Sequence, residues 1–403
     1  MYLKRMLVLV LSILSGMGVP VSSCAAEPVS GQETKAEVSI GSLLIPAEEG
    51  EQVPEFPGTS FIGKTDFVLA ENVEIYYYGN GYKYITVRDG QSCLLIPEGA
   101  DVPENIPEDV VILPVPARRI YLAATSAMAL FQALDGLDHI RMSSLNADGW
   151  YVEEARKAME AGDILYAGKY SEPDFELLLD QDCDLAVEST MILHSPKVKE
   201  MIEQLGIPVF IDRSSYEDHP LGRSEWIKVY GAMIGREAEA DAFFRKQLEV
   251  LDEMEGIPDT GKSIAFFSVN TGGSVVVRRP GDYVPEMIRI AGGRYILDGR
   301  EDLEDGSATS TVNMTMEDFY NAAADADILI YNASIEAPLG SVAELLDKNE
   351  LFGDFEAVKN GNVWCTDRYL YQATDITGEL IRDFHAVLTK EDARDTVFLT
   401  HLE

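Results

Sequence analysis

Pro173-Asp-Phe-Glu-Leu-Leu-Leu-Asp-Gln-Asp-Cys-Asp-Leu-Ala-Val-Glu188 is echoed further along the chain by Thr315-Met-Glu-Asp-Phe-Tyr-Asn-Ala-Ala-Ala-Asp-Ala-Asp-Ile-Leu-Ile-Tyr331. Each stretch places a glutamate, Glu176 or Glu317, in the first turn of a short helix, followed by an Asp-x-Asp turn and an apolar strand. A carboxylate is favoured at the positive end of a helix dipole, so each glutamate is locally stable and free to face outward. Two copies of one helix–turn–strand unit point to two similar halves. Two equivalent acidic knobs suggest a partner that meets both. Taken singly, either glutamate is equally an ordinary solvated helix start.

Working outward, strands and helices alternate from Pro116 onward. Strand Ile120–Leu122 precedes helix Ser126–Leu134, and strand Ile140–Met142 precedes helix Val152–Ala161. Helix Asp174–Leu179 leads to strand Leu185–Glu188, and helix Pro196–Leu205 to strand Val209–Ile211. This order predicts a parallel α/β lobe over residues 112–223. Residues 224–256 read as two helices, Ser224–Ile234 and Glu237–Glu255, the second with Ala240, Phe243, Phe244, Leu248 and Leu251 at helical spacing. At 1.5 Å per residue the second is roughly 28 Å long, enough to cross between lobes. Residues 257–403 repeat the alternation: strands Ile264–Val269 and Val275–Val277, helix Tyr283–Ala291, helix Met316–Ala324, strand Ile328–Tyr331, helix Ser341–Asp347, strand Val363–Cys365 and helix Ile376–Leu388. The fold class expected is α/β: two parallel-sheet lobes joined by one long helix, with an amino-terminal β-hairpin extension.

That extension covers 61–111. Val73-Glu-Ile-Tyr-Tyr-Tyr78 and Tyr82-Lys-Tyr-Ile-Thr-Val87 flank Gly79-Asn-Gly81, a hairpin signal, and Ser92 to Pro97 adds a third strand. Three adjacent tyrosines, Tyr76 to Tyr78, could suggest iron–phenolate ligation, but they read as aromatic strand filler. Residues 24–60, rich in Glu, Gly, Pro and Ser, read as a flexible spacer. Ahead of it, Lys4 and Arg5 precede an apolar run from Met6 to Leu14, too short to span a bilayer, so 1–23 reads as a signal segment. It ends in Val21-Ser-Ser-Cys24, which resembles a bacterial lipobox with Cys24 as the lipidated residue. Ordinary cleavage near Ala25-Ala26 is the alternative.

A net charge of −37 argues against a nucleic-acid partner. Cys93, Cys183 and Cys365 are far apart and without a C-x-x-C, so they read as buried small residues beside strands. No G-x-x-x-x-G-K-[ST], H-E-x-x-H or G-x-S-x-G occurs. The five histidines, His139, His194, His219, His385 and His401, are distributed against a histidine-built cage, so neither a resident metal nor a cofactor is expected.

The order of elements between Phe67 and Leu388 resembles the substrate-binding lipoproteins of ABC importers for iron–siderophore complexes, haem and cobalamin. Gly206-Ile-Pro-Val209, Pro220-Leu-Gly-Arg-Ser-Glu-Trp-Ile227 and Ala291-Gly-Gly-Arg-Tyr295 carry the likeness. The resemblance implies a rigid interlobe helix, a shallow cleft, and a glutamate on each lobe, here Glu176 and Glu317, that meets arginines of the permease. It implies as partners the permease with its ATPase, a metal chelate and, through the anchor, the membrane, with the protein a monomer. Ferric siderophore is the first choice of ligand, with cobalamin or haem behind it. A cell-surface hydrolase or adhesion protein is the alternative of a different class.

In α/β lobes ligands are met by loops at the carboxyl ends of strands. Those loops hold Trp150, Tyr151, Met191, Arg213, Arg278, Arg279, Tyr283, Asn332, Arg368 and Tyr369, with His194, Tyr216 and Tyr371 beside them. Aromatics offer stacking surface and arginines fixed donors to anionic oxygens. Met191 or His194 could be an axial haem ligand or simply packed. Arg278 and Arg279 follow a strand, so alternation aims one at the cleft and the other away. Surface pairing with Asp282 or Glu286 is the competing role for the pair.

Overall fold

The hairpin at Gly79-Asn-Gly81 is the centre of a larger sheet. In the computed structural model, which describes residues 40–88, 90–303, 310–334, 336–389 and 396–403, six strands follow in order. They are β1 (Leu44–Ile45), β2 (Phe61–Thr65), β3 (Val73–Tyr78), β4 (Lys83–Val87), β5 (Ser92–Pro97) and β6 (Val110–Val115). Neighbours are antiparallel up to β5, and β6 runs parallel to β5. Asn80 and Gly81 take the positive φ angles, 65° and 84°, that the tight reversal demands. One face, with Ile75, Tyr77, Ile85, Leu95 and Leu113, joins the main core. The other, with Tyr76, Tyr78, Tyr84 and Leu94, is closed by Phe56 and its loop. The tyrosine run is therefore strand filler: Tyr76 Oη donates to Glu51 (3.0 Å) and Tyr78 Oη to Pro54 O (2.6 Å).

Two expectations are corrected here. Residues 40–60, assigned to the spacer, are folded onto the sheet: β1 pairs with β2, and Glu51 accepts from Lys64 at 3.0 Å. The sheet also runs through residue 115, so the first lobe starts after the cis Val115–Pro116 bond rather than at 112. The signal segment, Cys24 and the spacer up to residue 39 lie outside the described residues.

The first lobe contains β7 (Ile120–Leu122), α1 (Ala127–Ala133), β8 (Ile140–Ser143), α2 (Glu153–Ala161), β9 (Leu165–Tyr166) and a small hairpin, β10 (Gly168–Lys169) with β11 (Glu172–Pro173). It continues with α3 (Phe175–Asp180), β12 (Leu185–Ser189), α4 (Pro196–Gln204) and β13 (Val209–Asp212). Its sheet, ordered β13-β12-β7-β8-β9, is wholly parallel. Three helices then cross between lobes: α5 (Pro220–Glu225), α6 (Ile227–Ile234) and α7 (Glu237–Met254). The single helix expected from Ser224 is two, and it begins earlier. Pro220 suits the first helical position, and His219 Nδ1 accepts from Leu221 N at 3.1 Å.

The second lobe contains β14 (Ser263–Val269), β15 (Val275–Arg278), α8 (Tyr283–Ile290), β16 (Arg294–Tyr295), β17 (Thr311–Met314) and α9 (Met316–Ala323). It ends with β18 (Ile328–Tyr331), α10 (Val342–Lys348), α11 (Glu356–Lys359), β19 (Val363–Thr366), α12 (Thr377–Thr389) and β20 (Leu399–His401). β14, β16, β18 and β19 are parallel, whereas β15, β17 and β20 extend the sheet antiparallel. The last two were not legible in sequence.

The echoed stretches have equivalent local roles. Asp174 caps α3 by accepting from Leu177 N, and Thr315 caps α9 by accepting from Asp318 N. The second aspartate of each Asp-x-Asp ties down the start of a neighbouring strand. Asp184 accepts from Arg118 N and Arg119 N ahead of β7 (2.9 and 3.0 Å), and Asp327 from Ser263 N at the start of β14 (2.8 Å). The repeat is thus a folding device as well as a display of Glu176 and Glu317, both of which are exposed.

Buried polar contacts fasten the second lobe to the interlobe helices and, through Gln372, to the first lobe. Ser224 Oγ donates to Thr374 O (2.6 Å), Gln247 Oε1 accepts from Gly378 N (3.0 Å), and Gln372, fully buried, accepts from Tyr151 N and donates to Gly149 O, both at 2.9 Å.

Candidate functional site

Three short pieces of sequence converge where α5 meets the second lobe. Arg223, on α5, lies with its guanidinium carbon 3.9 Å from the centre of the Tyr283 ring. Arg278, at the end of β15, lies 5.4 Å from the same ring. Asp282 caps α8 by accepting from Val284 N and stands 3.5 Å from Arg278 Nη1. Burial works against the Arg278 charge, but Tyr283 and Asp282 outweigh it and hold its pKa above the usual guanidinium value. Burial raises the Asp282 carboxyl, with Arg278 and Arg223 pulling the other way. Arg223 acts in the same sense on Asp212 at the end of β13, whose carboxyl burial also raises. Asp212 is occupied, accepting from Ser214 N (2.9 Å), Ser214 Oγ (2.6 Å) and the Tyr230 hydroxyl.

The buried Nε atoms of Arg223 and Arg278 have no hydrogen-bond partner. An arginine with an unused buried donor is costly to keep unless something else takes it up. Two guanidiniums close to one aromatic ring offer cation–π support and fixed donors, a combination suited to an anionic or planar ligand. Nearby His219 is pushed below its ordinary pKa by burial, despite Glu286, so it adds no charge at neutral pH. Among the described residues no group of three or more His, Cys, Asp or Glu side chains could hold a metal ion.

A second meeting point joins Tyr151 and Tyr371, from opposite lobes, edge to face at 6.4 Å. Tyr371 is exposed, and Gln372 beside it holds the two loops together.

The remaining candidates divide sharply. Arg279 lies just past the end of β15, and its Nη1 donates to Leu303 O at 2.7 Å. Met191 is 47 % exposed on the turn Thr190–His194, not packed, and His194 beside it is exposed too. Trp150 must be withdrawn from the ligand-facing set: it is 1 % exposed and its Nε1 donates to Ser143 Oγ inside the core. Asn332 is spent on its own loop, accepting from Ser334 N and Oγ. Arg368 Nε donates to Glu336 O at 3.1 Å, and Tyr369 follows it in the turn Arg368–Tyr371. Arg213 turns toward Gly90 and the amino-terminal sheet, with its guanidinium 5.6 Å from the Tyr216 ring. Arg223 was missed because its neighbourhood reads as a helix start. Its only signal is a lone basic residue within Pro220–Trp226 of an acidic chain.

Two α/β lobes on a helical hinge, with cations and aromatics where they meet, define a bilobal binding scaffold. The chain belongs to the periplasmic binding protein family, whose sequence profile matches residues 129–370. It is 26% identical over 338 residues to an uncharacterized lipoprotein of Methanocaldococcus jannaschii, covering 78% of this chain and 77% of that one. Among solved structures it resembles a periplasmic haem-binding protein of Vibrio cholerae, at 16% identity and TM-score 0.54, over 68% of this chain and 98% of the other. It also resembles a possible iron-binding periplasmic protein of Staphylococcus epidermidis, at 16% identity and TM-score 0.52, with the same coverage. At such identities these structures speak for the fold alone.

Proposed function

We propose that this chain is the solute-binding component of an ABC importer, capturing a metal chelate between its lobes and passing it to the permease without catalysing a reaction. The observation that carries this reading is the Arg223–Tyr283–Arg278 cluster at the lobe junction of a protein with net charge −37. Distant carboxylates are screened beyond about 8 Å at physiological salt, so local cations set the sign of the potential that a ligand meets. An anionic ferric siderophore fits this pair of guanidiniums best, since each has an Nε without a hydrogen-bond partner.

Fluorescence titration with ferric siderophores, haem and cobalamin tests the reading directly. A charge-assisted contact contributes about 1.5–3 kcal/mol, or one to two decades of affinity. Arg278→Ala and Arg223→Ala are each expected to lose that much for a ferric siderophore, whereas Arg279→Ala, which points elsewhere, is not. Normal binding by both Arg223→Ala and Arg278→Ala would move uncharged cobalamin to first place.

Docking is assigned to Glu176 and Glu317, exposed in the first turns of α3 and α9. Losing one partner of an interfacial charge pair typically costs about 2–5 kcal/mol. Glu176→Ala or Glu317→Ala should therefore weaken permease binding and uptake and leave ligand affinity intact. A matching drop in ligand affinity would refute the assignment.

The anchor is assigned to Cys24, consistent with the lipoprotein relative. Among the described residues no helix is long and apolar enough to cross a membrane. Cys24→Ala should release the protein from the membrane fraction, since a single thioether would hold the anchor. Persistent membrane association of that variant would rule the anchor out.

A further inference from the structure

In the loops that follow two strands of the first lobe, apolar side chains remain exposed. The turn after β12, Thr190–His194, is pinned to the lobe's core by Ile192, which is fully buried. Its neighbours are left outside: Met191 and Leu193 are each 47 % exposed. The loop after β13 carries Tyr216, 45 % exposed, within the turn Ser214–Tyr216. β12 and β13 are parallel neighbours with Ser189 opposite Asp212, so the two loops leave the sheet side by side and at one level. Single exposed apolar residues are ordinary on a protein surface, but several on two adjoining loops form a patch. No Asp or Glu occurs from Ser189 to Ser195 or from Arg213 to Tyr216, in a chain with 69 acidic residues.

The patch is continuous with the arginine cluster. Asp212, where the β13 loop begins, feels the charge of Arg223, and Arg223 lies against Tyr283 of the second lobe. The carboxyl ends of the two sheets face one another, as the contact of Tyr151 with Tyr371, from the loops after β8 and β19, shows. Loops at those ends are where α/β lobes meet their ligands. The junction is therefore cationic and aromatic on the side of Arg223, Arg278 and Tyr283. On the side of Met191, Leu193 and Tyr216 it is apolar and free of carboxylates.

We propose that the ligand is an anionic chelate with an apolar arm, alkyl or aryl. Its charged centre meets Arg223 and Arg278, and its arm lies over Met191, Leu193 and Tyr216. This rests on the chelate-binding reading above and narrows it. A small hydrophilic anion gains little from the second half of the site, where a thioether, a leucine and a phenol ring offer area to bury rather than fixed donors. Met191 suits arms of varied shape, because an unbranched thioether adapts readily to what it packs against. Burying about two methylenes of an arm contributes about tenfold in affinity.

The probes are ferric complexes of one carboxylate-bearing dihydroxamate chelator that differ only in the hydroxamate acyl group: acetyl, octanoyl or benzoyl. Their charge is the same, so a difference in affinity reports the arm. In fluorescence titration the octanoyl or the benzoyl complex should bind about tenfold tighter than the acetyl complex, and which of them leads tells alkyl from aryl. The double variant Met191→Ser, Leu193→Ser should lose that preference, whereas Arg278→Ala should weaken all the complexes and keep it. Both positions of the double variant are exposed, and its melting temperature without ligand is the control that it is folded. Equal affinity of the three complexes for the parent protein overturns the proposal, as does a preference that survives the double substitution. Absence of binding by all three overturns the ferric-chelate reading itself, and the proposal with it.

Discussion

Replacing Glu225 by alanine is expected to cost about 3–5 kcal/mol of stability, because it leaves the buried Lys228 without its carboxylate, the Asp66 carbonyl being its remaining hydrogen-bond partner, and strips three backbone donors of their acceptor. Glu225 is fully buried. Its carboxylate accepts from Val68 N, Leu69 N and Ala70 N, each at 2.8 Å, and from Lys228 Nζ at 2.7 Å. Glu217 continues the row, accepting from Glu71 N (2.7 Å), Asn72 N (3.0 Å) and Trp226 Nε1 (2.8 Å). Five consecutive amides of the segment entering β3 are thus held by two acids of the hinge. Gly222 permits the close approach: a Cβ there would stand 2.9 Å from Leu69 O. The measurement is a denaturant midpoint together with amide exchange at residues 68–70. Faster exchange confined to those amides, with a large loss of stability, is the expected result. A midpoint within about 0.5 kcal/mol of the parent, the range of ordinary surface changes, would show that the network adds nothing.

Glu188 should behave in the opposite way. It sits on β12 between β7 and β13, fully buried, with neither carboxylate oxygen hydrogen-bonded. Burial pushes its pKa from 4.5 to about 8. The folded state therefore holds a proton that the unfolded chain releases at neutral pH. Stability linked to this group is complete below pH 4.5 and is lost as pH rises through about 8. At pH 7 the cost is about 3 kcal/mol. Glu188→Gln keeps the shape and removes the titration, so it should be more stable than the parent by about that amount at pH 7 and nearly equal to it at pH 4. Parallel stability curves for the two proteins between pH 4 and 8 would show that Glu188 is not buried as described.

These two glutamates show why the site was only partly legible. In a chain with 69 acidic residues, nothing local distinguishes Glu225, Glu217 or Glu188 from solvated surface. Glu225 and Glu217 bond a distant segment, Glu225's amide donors lying 155 to 157 residues away along the chain, and Glu188 is set apart only by its burial between two strands. Arg223 was hidden for the same reason, since its meaning comes from Tyr283 across the hinge. Trp150 misled in the other direction: a loop position suggested exposure, yet Ser143 and the core claim its ring.

What the sequence determined by itself was everything carried by local chemistry. The alternation of strand and helix, the Asn80-Gly81 turn, the capped starts of α3 and α9 and the helical period of α7 follow from contacts within a few residues. That is enough to define two lobes, a hinge and the family resemblance. Tertiary structure alone decided which strands close the sheets, since β17 and β20 are short antiparallel additions whose register is set by their neighbours. It also decided that residues 40–60 fold rather than dangle, because β2 and Tyr76 offer them partners. Which arginine meets which ring was likewise a tertiary matter. Local periodicity fixes the direction of a side chain relative to its own element, and only packing fixes what lies there to receive it.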